Sequence, residues 1–189
     1  MQICIVDAQN DFINGSMAVK GAEEKVNNIV NFLKEHADEI DTIVLTLDWH
    51  PYDHCSFKDK GGLWPRHCVR YTEGAALYQP LADAICELVS KKNIEVDFVR
   101  KGSNPFTEEY GAFGGHIDDK QSADRYFMID KPIIICGLVG DYCVSQTARN
   151  LISQGWRVKF YLDGIANIDN GDTLKAFILF EEQRNKLTI

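Results

Sequence analysis

Asp48, His50 and His54 fall within seven residues of the stretch LTLDWHPYDHCSF (residues 45–57), directly after an apolar run. On an extended chain side chains two apart point the same way, so Asp48 and His50 reach one point at the end of a strand. His54 and His67 follow in the same loop. A lone loop histidine usually bonds a carbonyl or faces water; three of them gathered near a carboxylate suit a divalent ion, with zinc, iron and manganese all compatible. His36, at a helix end, and His116, in a glycine-rich loop, have no such company.

Three more residues carry chemistry. Asp7 closes an apolar run in CIVDAQNDF, Lys101 closes another in DFVRKGSNP, and Cys143 stands at the start of a helix in CGLVGDYCV. Parallel strands would bring all three to one rim. A free thiol ionises near ~8.5, and a helix N-terminus or a neighbouring ammonium lowers that value towards the nucleophilic thiolate. Asp7 can take the thiol proton and return it to a leaving group while Lys101 holds the charges in place. Singly, the three read as a turn cap, a solvated charge and a small buried apolar group. Their agreement on one edge, beside the histidine loop, selects the chemical reading.

The elements that must position them are legible as short β-branched or apolar runs over residues 2–6, 42–47, 95–99, 132–136 and 157–162. Helical patterns lie between. Val26, Ile29, Val30 and Leu33 recur at helical spacing after Gly21, and Pro80 opens a segment with Leu81, Ala84, Ile85 and Leu88 on one face. A third helix is predicted over 141–154, stopped by Gly155, and a fourth over 172–184. Strands alternating with helices imply parallel pairing and right-handed crossovers, hence an α/β chain in a three-layer α/β/α sandwich with a doubly wound, mainly parallel sheet. A short last strand at 186–189 would close it. Two segments, 48–79 and 102–120, break the alternation; both start at strand C-terminal ends, where open α/β sheets bind ligands.

With 189 residues, 45% of them apolar and 25% charged, the expectation is one domain spanning residues 1–189. The net charge of −8 argues against a nucleic-acid partner, which is held through clustered Lys and Arg. No secretory signal and no apolar stretch near the ~20 residues of a membrane span are visible, so a cytoplasmic protein acting on small molecules is expected. The six cysteines form no Cys-x-x-Cys pair and are read as free thiols, which weighs against a redox protein.

The set VDAQNDF, DWHPYDHCSF, WPRHCV, VRKGSNP followed by YGAF, and GLVGDYCV resembles, in order and over residues 1–162, the nicotinamidase branch of the isochorismatase-like cysteine hydrolases. The resemblance implies a doubly wound sheet of six parallel strands and hydrolysis of nicotinamide to nicotinate and ammonia in NAD salvage. It puts the catalytic triad on Asp7, Lys101 and Cys143, and the metal ligands on Asp48, His50 and His67. His54 matches a position that ligates in some members only, and zinc is the first expectation for the ion, ahead of iron or manganese. In that branch the pyridine nitrogen binds an open metal position while the cysteine faces the amide carbon. Phe12 and Trp64 align with residues lining the ring pocket, and Tyr110 and Phe113 are expected to close its far side. The backbone N–H groups of Val139 and Cys143 would form the oxyanion hole, shaped by a cis peptide between Leu138 and Val139.

Gly111, where many members have serine, and Gly140, where alanine or threonine is usual, depart from the pattern, and the chain is short after its last helix. None of these removes a ligand or a catalytic residue. Members are often dimers or larger, although no self-complementary patch is legible here. Two other readings stay open: hydrolysis of another heteroaromatic amide by the same thioester chemistry, and a non-catalytic metal-binding or ligand-binding module of the same fold.

Overall fold

The computed structural model of the chain describes residues 1–114 and 122–183. Five strands, β1 (Gln2–Val6), β2 (Thr42–Asp48), β3 (Glu95–Lys101), β4 (Ile133–Gly137) and β5 (Val158–Ile165), pair in parallel in the spatial order β3-β2-β1-β4-β5. β1 and β2 are buried along their whole length, which is why they read as continuous apolar runs instead of alternating ones. From β1 the chain winds outwards to β2 and β3, then crosses back to β4 and β5 on the other side. The order therefore reverses between β1 and β4, the kind of crevice in which α/β sheets bind ligands beyond the strand C-terminal ends.

The helices are α1 (Asn10–Ile13), α2 (Ala22–Glu35), α3 (Gln79–Lys91), α4 (Ser145–Ser153) and α5 (Asp172–Gln183). α2 buries Val26, Ile29, Val30 and Leu33, the stripe expected from their spacing, against α3 and β5. Each such side chain, moved out of water, contributes about 1.5–3 kcal/mol before the entropy of ordering is counted. Pro80 lies in the first turn of α3, where its missing N–H costs no helical bond. Among the described residues no helix is long and apolar enough to cross a membrane.

The structure departs from the sequence-based expectations in three places. β2 and β3 run on through Asp48 and Lys101, which pair in register, so both charged residues belong to the ladder and not to loops. The third predicted helix begins as a turn of π-helix, Gly140–Val144, before α4. The peptide bond between Leu138 and Val139 is trans, and no cis bond occurs among the described residues. The corner is shaped by main-chain dihedrals: Gly137 has φ +130°, where a Cβ would lie 2.1 Å from the Val6 carbonyl oxygen, and Val139 takes φ +57°. The predicted strand at 186–189, the end of the fourth helix at Arg184, and His116 lie outside the described residues.

Candidate active site

Asp7, the residue after β1, holds a left-handed conformation (φ +51°) that is rare for a residue with a side chain. Val139, beyond the end of the neighbouring β4, is strained in the same way and is β-branched besides. Such outliers persist where the surroundings over-determine them, and functional sites collect them. From Val139 the π-turn carries Cys143 back over the sheet end, and α4 follows. The three residues expected to act together thereby meet around one ammonium. Lys101, fully buried, places Nζ 2.7 Å from Asp7 Oδ2 and 3.6 Å from Cys143 Sγ, and also donates to Asp48 Oδ1. Thr46 Oγ1 donates to Asp7 Oδ1 at 2.7 Å.

Electrostatics give these groups different tasks. Burial pushes the Cys143 thiol well above its ordinary value; Lys101 opposes this, and Asp7 and Asp48 add to it. Burial thus works against the lowering expected from the helix N-terminus and the neighbouring ammonium. Burial also raises the Asp7 carboxyl, with Lys101 pulling the other way and Asp48 reinforcing the rise. For Asp48 burial again acts upwards, but Lys101 and the His50 imidazole outweigh it and hold the carboxyl well below the usual range. Burial works against the Lys101 charge, yet Asp48 and Asp7 keep it an ammonium. Of two carboxylates sharing one cation, Asp48 is thus held towards the anion and Asp7 is pushed towards the protonated form.

The opposite edge of Asp48 faces two imidazoles. His50 Nε2 lies 3.4 Å and His67 Nε2 3.7 Å from Asp48 Oδ2, and the three side chains offer ligand atoms within 4.8 Å of one another. His50 Nδ1 bonds the Gly102 carbonyl at 2.9 Å and His67 Nδ1 bonds the Pro65 carbonyl at 2.8 Å. A carbonyl only accepts, so each Nδ1 carries the hydrogen, and in the neutral ring each Nε2 presents a lone pair towards Asp48. Two lone pairs and a carboxylate turned on one point suit a single divalent cation, and three protein ligands leave a coordination position open. His54 stands beside them, its ring centroid 4.2 Å from that of His50, but outside the set of three. Its Nδ1 accepts from the Ser56 N–H at 3.2 Å and its Nε2 donates to the Thr107 carbonyl at 3.1 Å, so both ring nitrogens are spent on the protein.

A cavity beside Cys143 is lined by Phe12, Trp64, Tyr110, Val139 and Tyr142 on its apolar side and by Asp48, His67 and Glu108 on its polar side. Trp64 Nε1 donates to Tyr110 Oη at 3.1 Å, and Tyr142 stands edge-on to Trp64 with ring centroids 5.2 Å apart. Phe113 is not part of it. Fully buried, it packs against Tyr126 and Phe127, and it is a core residue. Val139, just before the π-turn, and Cys143, within it, both line this cavity.

Several residues at the site were not singled out from sequence. Gln9 grips Asp48 by its main chain, accepting the N–H on Oε1 and donating Nε2 to the carbonyl, both at 2.8 Å. Glu109 accepts the Gly102 N–H at 3.0 Å. Burial raises the Glu108 carboxyl, with Asp48 adding to the rise. Thr46 had a signal: it sits two residues before Asp48 on one strand and so shares its face. Gln9, Glu108 and Tyr142 had none beyond adjacency to motif residues.

No family model matches the chain. A nicotinamidase of Saccharomyces cerevisiae is 32% identical over 191 residues, covering 85% of this chain and 85% of that protein. The chain belongs to the nicotinamidase family. Solved structures agree with that membership. The pyrazinamidase of Pyrococcus horikoshii in complex with zinc has a TM-score of 0.77 at 27% identity, covering 100% of this chain and 97% of that one. A yeast nicotinamidase bound to the inhibitor nicotinaldehyde has a TM-score of 0.79 at 26% identity, covering 99% and 98%.

Proposed function

We propose that the protein is a metal-dependent amidohydrolase that converts nicotinamide to nicotinate and ammonia through a thioester on Cys143, as a step of NAD salvage. The observation that carries this is the meeting of Asp7, Cys143 and Asp48 around Lys101, with the Nε2 atoms of His50 and His67 on the far edge of Asp48. Membership of the nicotinamidase family supports the substrate. Nicotinaldehyde, bound by a yeast relative, carries an electrophilic carbonyl of the kind a cysteine sulfur attacks.

In this reading Asp7 takes the proton of Cys143, and the sulfur adds to the amide carbon. The Val139 and Cys143 N–H groups hold the oxygen that gains charge; losing one such donor costs roughly 3–4 kcal/mol of barrier. Asp7 passes its proton to the departing nitrogen, ammonia leaves, and water cleaves the thioester with Asp7 again as base. Phe12, Trp64 and Tyr110 clamp the ring. A divalent ion held by Asp48, His50 and His67, zinc first, would supply a Lewis-acidic position for the pyridine nitrogen.

Ammonia release from nicotinamide tests the proposal. Metal-loaded protein is expected to release it, Cys143→Ala to lose at least about 10³ of the rate, and chelator-stripped protein to regain activity on adding metal. No release from metal-loaded protein would refute the substrate assignment.

A further inference from the structure

We propose that Thr46 is a positioning residue for Asp7, its hydroxyl giving the two carboxylate oxygens separate tasks. This rests on the reading above, in which Asp7 exchanges a proton with Cys143. Thr46 is fully buried on β2, and it meets Asp7 twice. Its carbonyl accepts the Asp7 N–H at 3.1 Å and its hydroxyl donates to Asp7 Oδ1 at 2.7 Å. One residue therefore holds both the main chain and the side chain of an aspartate in a strained conformation (φ +51°).

The consequence lies in what is left for Oδ2. Lys101 Nζ pairs with it at 2.7 Å, and Thr46 makes no bond to it. Oδ1 is occupied by Thr46, and Oδ2 keeps a lone pair free on the side of the Lys101 ammonium that Cys143 Sγ also approaches. The thiol proton passes to Oδ2 while its electron pair stays on sulfur and adds to the amide carbon. The same proton then leaves Oδ2 for the departing nitrogen, and the bond from Thr46 to Oδ1 is kept throughout. Valine at position 46 would keep the volume and remove the donor. Oδ1 would then be a buried oxygen without its donor, competing with Oδ2 for Lys101, and the carboxylate would point at the sulfur for less of the time.

Thr46→Val and Thr46→Ser separate this role from a merely structural one. Two rates are read on metal-loaded protein: alkylation of Cys143 by iodoacetamide, followed on the Cys143 peptide by mass spectrometry, and nicotinamide hydrolysis. Thr46→Val is expected to slow alkylation and kcat about tenfold, the worth of a hydrogen bond to a charged group, with KM little changed. Thr46→Ser, which restores the hydroxyl, is expected to restore both. If the valine variant does not fold, Thr46→Ala removes the same donor without bulk and is read in the same way. Because alkylation needs no substrate, it does not depend on nicotinamide being the right amide. Alkylation slowed by Asp7→Asn but not by loss of the Thr46 hydroxyl overturns the inference alone. Alkylation indifferent to Asp7→Asn overturns the acid–base reading and the inference with it.

Discussion

Lys101 has no exposed surface and lies between two carboxylates and a thiol. Removing one partner from a buried charge cluster is more costly than never having built it, because the remaining charges stay desolvated. Lys101→Met, of similar length, would leave Asp7 and Asp48 facing each other without a counter-charge. It is expected to lose about 3–5 kcal/mol of unfolding free energy, measured by urea titration, together with activity. Unchanged stability would show that the cluster is not electrostatically coupled. At this scale the sequence was informative about identity and silent about environment. Asp7, Lys101 and Cys143 were readable as three reactive types at strand and helix ends. That burial raises the thiol, that Asp48 is held towards the anion and Asp7 pushed towards the protonated form, and that Ser56 and Thr107 claim His54 depend on neighbours remote in the chain or on atom-level direction. Phe113 is instructive in the same way: an aromatic near a motif looks the same in sequence whether it faces a cavity or the core.

The end of β3 shows how an element sets the site. Gly102 follows Lys101 with φ +62°, and a Cβ there would lie 2.4 Å from His50 Cε1. The same residue offers its carbonyl to His50 Nδ1 and its N–H to Glu109. Glycine is required both for the turn and for the approach of the imidazole. Gly102→Ala is expected to displace His50 and weaken metal binding by roughly 10–100-fold, the usual cost of disturbing a residue that orients a ligand. Metal content per chain after dialysis against graded zinc measures this; unchanged content would mean that His50 is not a ligand or is not held by this turn. The strands were readable because both faces of β1 and β2 are buried. Their ends were set short because Asp48 and Lys101 interrupt the apolar run while the ladder continues through them. The π-turn at Gly140–Val144 had no signal distinguishing it from the start of an ordinary helix.

Across the molecule, the parallel order β3-β2-β1-β4-β5 gathers residues from four strand ends onto one rim, and stability and chemistry share that rim. His54 ties its loop to Ser56 and to Thr107 as a neutral ring, and burial with the nearby His50 pushes its pKa down from 6.5 to about 4. Below pH 6.5 the unfolded chain takes up a proton at His54 that the folded chain refuses. The stability from this residue is thus whole above that pH and is lost progressively down to about pH 4. Thermal unfolding between pH 7 and 4.5 is expected to show a smaller loss of midpoint in His54→Asn than in the parent protein; equal losses would contradict a neutral, protein-bonded His54. The thioester itself is the most direct point at which the mechanism can be tested. Metal-loaded protein mixed with nicotinamide and hydroxylamine is predicted to form nicotinohydroxamate, and acid-quenched samples to carry a nicotinoyl group on the Cys143 peptide, with neither product from Cys143→Ala. Nicotinate formed without hydroxamate or adduct, or persisting in Cys143→Ala, would contradict covalent catalysis at Cys143.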